Sequence, residues 1–338
     1  MQRDNNITCI RGITCLLVVI GHILGLFTWL VPSNIGGGTD YKVILFLRNF
    51  IYTFHMPLFM SVSGYLFYFE LGKNSNFITF AVKKFFRLIV PFIIMLYGYY
   101  RPADYLIGNE TFVIHESAIA NIYEYLKIST TGALWYLYIL FGIFIFNKLL
   151  SFFLSFIWNS KITIWLSFTI FAIASFAAQV IFSGGTIHHL LMYNFYFFLG
   201  TVVHYYYQKL SDIPKWVPIA SFLLFGNLSA LSIIENKYIN TVLVMMAAIC
   251  AIISAYLVTD KYIHKTPNHL ITLLDSYSMG IYLFHTPIIR IVAYYMGNHS
   301  PIIIILATFI IGLMSSILLT LLVRKLHLGF IIGECARQ

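Results

Sequence analysis

Charged side chains are scarce in this sequence. Asp, Glu, Lys and Arg supply 10% of its 338 residues, while hydrophobic residues supply 60% and aromatic ones 18%. A soluble domain draws about a quarter of its residues from those four charged types, so the composition excludes a water-exposed globular fold and points to an integral membrane protein. Acids are rarer than bases, 12 against 21. Cysteine is sparse as well. Cys9, Cys15, Cys250 and Cys335 lie scattered with no C-x-x-C pair, which argues against both a zinc site and a disulfide framework. There is no internal repeat of note, no coiled-coil heptad and no low-complexity tail, and no loop is long enough to fold as a second domain. Residues 1–338 are therefore expected to form one domain.

Long apolar runs are abundant. Ten candidate spans cover about 10–30, 49–69, 87–100, 134–157, 162–183, 187–207, 215–234, 239–258, 274–297 and 301–323. The third is the shortest and stops at Arg101-Pro102. Turn signals separate the runs, among them "PSNIGGGTD", "SGG", "SDIP" and "GNHSP". A barrel strand would alternate in polarity over about ten residues, and these runs do not. The expected fold is an all-α, polytopic bundle of about ten transmembrane helices.

Laying the basic residues on alternate sides puts fifteen of 21 on one side, with Lys42, Arg48, Arg101, Lys127, Lys237 and Arg290 on the other. That bias predicts cytoplasmic termini at both ends. It also accounts for the net charge of +9 without a nucleic-acid partner. The first run exceeds a signal-peptide core and lacks a small-x-small cleavage site, so it is expected to be retained. The stretch "SAIANIYEYLKI", between the third and fourth spans, has the character of a short surface helix.

The first span opens with "RGITCLLVVIGHI", residues 11–23. Eleven residues separate Arg11 from His22, within roughly 20° of three full turns, so the two share a face about 16 Å apart along the axis. An ionisable group at membrane depth is costly and by default a functional candidate. "FHMPLFMSVSGYLF", residues 54–67, carries His55 and Pro57, followed by Ser61, Ser63 and Gly64, small residues that permit a close helix crossing. "KKFFRLIVPF" gathers Lys83, Lys84 and Arg87 at the cytoplasmic mouth of the third span. In "SMGIYLFHTPIIR", Ser278, Tyr282 and His285 form a stripe at i, i+4 and i+7. His22 and His285 are thus expected to approach each other near the centre of the bundle.

Together the Arg-Gly opening with its histidine, the Ser-Gly-rich second span, the basic-x-x-Arg motif before the third, "LWYLYILF" at 134–141 and "YSMGIYLFH" at 277–285 resemble the membrane-bound acyltransferase 3 family. The resemblance runs from the first span to the tenth and matches the stand-alone form. It implies a multi-pass protein of the bacterial inner membrane that moves an acyl group, usually acetyl, from cytoplasmic acetyl-CoA to a hydroxyl of a lipid-linked or polymeric glycan such as an O-antigen, capsule or exopolysaccharide. Two positions depart from the family pattern. Thr8 stands where many relatives carry an acid that would partner Arg11 or His22, and Lys84 stands where an arginine is common.

Thioester-to-ester transfer needs a base for the sugar hydroxyl, a stabiliser for the tetrahedral oxyanion and a clamp for the donor phosphates. His22 is the expected base, with Arg11 or His285 steadying the oxyanion. Lys83, Lys84 and Arg87 are expected to hold the acetyl-CoA phosphates, and His55, Ser63, Tyr282 and Trp135 to contact the acceptor. No metal is predicted. An acyl-histidine relay through His22 satisfies the same chemistry. Each group also has a plainer reading. Histidines within spans, among them His55, His188, His189 and His204, are commonly packed and hydrogen-bonded; basic flanks anchor topology; Trp135 and Tyr136 suit an aromatic belt; His285 suits a helix–helix bridge. A transporter or flippase for a lipid-linked glycan is the competing class, since broken helices and buried ionisable groups also describe carriers.

Overall fold

The computed structural model describes residues 5–30, 39–71, 76–108, 117, 133–153, 161–182, 184–206, 212–214, 216–230, 236–262, 268–297 and 299–334. All regular structure among them is helical. The runs are α1 (Asn5–Leu30), α2 (Thr39–Leu71), α3 (77–106), α4 (Trp135–Phe153), α5 (Lys161–Ile181), α6 (Thr186–Tyr205), α7 (Trp216–Ala230), α8 (Lys237–Tyr262), α9 (His269–Tyr295) and α10 (Pro301–Lys325), with a short 3-10 turn at Gly329–Ile332. Cys335 and, Ser117 apart, the "SAIANIYEYLKI" stretch lie outside the described residues.

Among the described residues, five helices are long and apolar enough to cross a membrane: Asn5–Phe27, Tyr41–Leu71, Ile162–Ile181, Lys237–Thr259 and Pro301–Lys325. The α6 and α9 helices are as long, but each carries polar groups on its buried face, Asn194 and Thr201 on one and Asp275 and His285 on the other.

The third run is longer than the sequence suggested, beginning at 77 rather than 87, with Lys83 and Lys84 riding on the helix instead of preceding it. Three α-helical segments, Phe77–Lys84, Val90–Met95 and Arg101–Leu106, alternate with π turns at Phe85–Ile89 and Leu96–Tyr100. Each π turn runs up to a proline-bearing segment. Pro91 and Pro102 have no backbone N–H to continue an α-helical ladder, and the widened turns let Val90 reach the Phe85 carbonyl and Arg101 the Leu96 carbonyl instead.

Side chains are sorted as a lipid-facing bundle requires. On α10 the inward stripe is Thr308, Gly312, Ser316 and Thr320, all buried. Ile302, Leu306, Ile310, Met314 and Leu318 point outward and are exposed. Small and polar residues at helix contacts with bulky apolar ones outside suit hydrocarbon surroundings, where apolar burial gives helices no reason to associate and close packing must. The crossing of α2 and α6 shows the closest approach. A Cβ added at Gly64 would collide with the Phe197 carbonyl, and one at Gly200 with the Ser61 carbonyl. The Thr201 hydroxyl donates to the Gly64 carbonyl across the same contact, 3.1 Å. The close crossing expected from Ser61 and Gly64 is present, and α6 supplies its other half.

Candidate functional site

Helix α1 packs between α2 and α9. It runs in the same direction as α9, and that parallel register builds the site. Near the start of both helices Arg11 Nε donates to Asp275 Oδ1 at 2.6 Å, with the Asp275 side chain 1% exposed and that of Arg11 27%. Eleven residues further along α1 stands His22, and ten further along α9 stands His285. Their rings meet edge to face, centroids 5.0 Å apart and planes at 78°. The approach expected from the sequence is therefore present. Asp275 was not singled out there, although it is the one acid inside any of the ten apolar runs. It stands opposite Arg11, the role that Thr8 left vacant.

His55 joins the pair from α2, its Nε2 lying 3.9 Å from where a Cβ on Gly21 would sit. The imidazoles of His22, His55 and His285 are electrostatic neighbours. Two of the three are held alike. His55 Nδ1 lies 2.8 Å from the Ile51 carbonyl and His285 Nδ1 2.7 Å from the Ile281 carbonyl. A carbonyl can only accept, so Nδ1 carries the proton in both rings and Nε2 presents a lone pair. At His285 that lone pair accepts from the Thr286 hydroxyl at 3.1 Å. Both histidines stand two residues before a proline inside their helix, Pro57 and Pro287, in the matching strings "FHMP" and "FHTP". His22 is half-buried, and no hydrogen bond to its ring is found among the described residues.

On the Arg11 side of the histidines, Ser63, Tyr136 and Tyr282 close the wall. The Tyr282 hydroxyl donates to the Ala133 carbonyl. Ser63 and Tyr136 share a hydrogen bond of 3.2 Å, and Tyr136 packs on Tyr282 with ring centroids 5.5 Å apart. Tyr136 also lies in the electrostatic field of both Arg11 and Arg87. Trp135 points elsewhere. It stacks on Tyr193 at 4.9 Å and contacts His189 at 4.8 Å.

The three basic residues of the α3 motif differ in setting. Lys83 and Arg87 are exposed. Lys84 turns inward, its Nζ 3.7 Å from the Phe144 ring centroid and 5.3 Å from that of Phe80. Lys148 of α4 reaches the same aromatic pair, 5.5 Å from Phe80, and is buried. Beside it, Asn147 donates to Asn194 at 2.6 Å. By sequence Lys148 is one of the fifteen basic residues that share a side. In sequence it lies far from the motif it joins, and nothing local marks it.

A second ion pair ties down the other end of α9. Arg290 Nη1 lies 2.5 Å from Asp104 Oδ1 at the close of α3. Burial pushes the Asp104 carboxyl above its ordinary value, and the Arg290 charge opposes that rise. Between its two anchored ends α9 carries His285, and the Tyr99 hydroxyl donates to the Phe284 carbonyl from α3 at 3.1 Å.

Residues 4–323 match the family described as "Acyltransferase domain". The chain belongs to the acyltransferase 3 family. Two curated relatives share a shorter segment, both named nodulation protein NolL: one from Sinorhizobium fredii, 40% identical over 65 residues, and one from Mesorhizobium japonicum, 42% identical over 65 residues. In each case the segment covers 19% of this chain and 16% of the relative. No solved structure matches the chain. In this acyltransferase 3 chain, the two most family-like motifs, the Arg-Gly opening and "IYLFH", are those that the α1–α9 register brings face to face. Among the described residues no three of His, Cys, Asp and Glu are placed to hold a metal ion.

Proposed function

We propose that this chain is an O-acetyltransferase of the bacterial inner membrane, taking acetyl from cytoplasmic acetyl-CoA and passing it to a hydroxyl of a lipid-linked or polymeric surface glycan. The observation that carries the reading is the contact of His22 with His285 at the end of a polar seam that starts at the Arg11–Asp275 pair. A carrier needs no such alignment of a base, a second imidazole and an arginine.

In this reading His22 is the general base. Its imidazole takes the proton of the acceptor hydroxyl as that oxygen attacks the thioester carbonyl. The tetrahedral oxyanion forms beside His22 and is met by His285 after proton exchange with His22, while Arg11, about 16 Å away along α1, meets the donor. Collapse of the intermediate breaks the carbon–sulfur bond, and the CoA thiolate recovers the proton from the His22 imidazolium. The Ile281 carbonyl holds the Nδ1 proton of His285, so Nε2, which accepts from the Thr286 hydroxyl, is the nitrogen that can take up a proton, and the Arg11–Asp275 pair keeps the guanidinium oriented. Lys84 and Arg87, with Lys83 at the rim, hold the donor phosphates; Arg87 supplies the planar fork that suits phosphate. His55 contacts the acceptor beside His22, Ser63 and Tyr282 line the wall on the Arg11 side, Trp135 is turned toward Tyr193 and His189, and both chain termini face the cytoplasm.

The test is acetyl-CoA turnover by purified protein in nanodiscs, paired with mass spectrometry of the surface glycan from cells with and without the gene. Thioester cleavage together with an acetyl mass increment on the glycan supports the reading. Absence of both, with folded protein present, leaves the carrier class standing.

A further inference from the structure

The α1–α2 interface carries a second arginine on the far side of the histidines. Helix α2 runs antiparallel to α1, and its residues Arg48, Tyr52 and His55 fall at i, i+4 and i+7 on one face. That face lies on Gly21 and Gly25 of α1. A Cβ on Gly25 would sit 3.0 Å from the Tyr52 hydroxyl and 4.0 Å from Arg48 Nε, while one on Gly21 would sit 3.9 Å from His55 Nε2. Arg48 therefore stands about one turn beyond His22, opposite in direction to Arg11.

The two arginines differ in how their charge is met. Arg11 has Asp275. Arg48 forms no ion pair with a carboxylate among the described residues. Its Nη1 lies 3.5 Å from Asn49 Oδ1, its guanidinium stands 5.2 Å from the Tyr52 ring centroid, and among the described residues its Nε is buried with no hydrogen-bond partner. A guanidinium with a buried, unpaired donor is costly to keep at this depth. Such a group is stabilised when an anion completes it, because its forked donors match the oxygens of a phosphate or carboxylate. Tyr52 is an electrostatic neighbour of Tyr193, and Tyr193 carries the stacked Trp135. Aromatic faces of this kind suit a sugar ring.

We propose that Arg48, with the Tyr52 hydroxyl, forms a binding subsite for an anionic group of the acceptor, a phosphate or a carboxylate, about one turn beyond His22 on the side opposite Arg11. The proposal deepens the acetyltransferase reading and rests on it for the word acceptor. An anion fixed there holds the acceptor so that a neighbouring hydroxyl reaches His22, while the donor approaches from the Arg11 side.

The test uses the full chain in phosphatidylcholine nanodiscs treated with phenylglyoxal, which modifies guanidinium groups. The rate of Arg48 modification is followed by peptide mass spectrometry with and without inorganic pyrophosphate. Slowing of Arg48 modification by fivefold or more, without equal slowing at the other arginines, supports the subsite. No slowing, or no Arg48 modification at all, overturns it, since the side chain is then indifferent or closed to an aqueous anion. Replacing a third of the phosphatidylcholine by phosphatidylglycerol, with pyrophosphate absent, separates the sources. Equal protection by that lipid assigns Arg48 to headgroups and overturns the acceptor assignment. In cells, Arg48→Gln is expected to lower glycan acetylation tenfold or more and Arg48→Lys to restore part of it. No loss in Arg48→Gln at normal membrane levels overturns the proposal. If pyrophosphate protects Arg48 but purified protein never turns over acetyl-CoA, the transfer reading fails while the anion site stands.

Discussion

Asp275 holds Arg11 at 2.6 Å, in the same α1–α9 register that brings His22 against His285. The carboxylate is buried and the guanidinium partly open, so breaking the pair costs less than the roughly 3–5 kcal/mol typical of a fully buried one. Asp275→Asn is expected to lower glycan acetylation at least tenfold, and Arg11→Gln likewise. The double variant should be little worse than either single, because each change removes the same bond. Additive losses, measured on the glycan by mass spectrometry, would show that the pair does not act as a unit.

His22→Ala is expected to reduce acetylation by about 10² to 10⁴, the usual cost of losing a general base, with normal protein in the membrane. His285→Ala should fall in the same direction. Near wild-type rates in His22→Ala would reduce the histidine contact to packing.

The donor side is separable from the acceptor side. Lys84→Ala with Arg87→Ala is expected to raise the KM for acetyl-CoA more than tenfold while leaving membrane insertion intact, since the other basic residues on the same side maintain orientation. Lys148→Gln should move the same KM, because its ammonium shares the Phe80 face with that of Lys84. An unchanged KM in these variants would return the motif to a topological role.

Gly64→Leu drives a side chain into the backbone of α6 at Phe197. Backbone cannot yield as a flexible side chain does, so the cost should exceed the roughly 1–3 kcal/mol of ordinary overpacking. The expected result is loss of the monodisperse peak in fluorescence-detected size-exclusion chromatography. Survival of that peak at wild-type height would contradict the close crossing.

Both ends of the chain are expected in the cytoplasm. Fusions at the C-terminus to a reporter active only in the cytoplasm should be active, and a periplasm-only reporter inactive. The opposite pattern would invert the side from which each substrate is expected to arrive.

The amino-acid sequence by itself determined the class of the protein and where most of its helices lie, because a bilayer imposes its demands locally. Each spanning segment must satisfy its own backbone hydrogen bonds and present apolar side chains, and both requirements are written within about twenty consecutive residues. It also marked Arg11, His22, His55 and His285, since an ionisable residue in an apolar run stands out without any partner in view. Partnership was decided only by the tertiary structure. Asp275 and Arg11 are 264 positions apart, Lys148 joins Lys84 from another helix, and the contrast between the paired Arg11 and Arg48 appears only when helices lie side by side. Helix packing in lipid rests on close contact and a few polar bonds rather than on a long apolar stripe. Which faces meet, and in what register, is therefore settled by the assembled bundle.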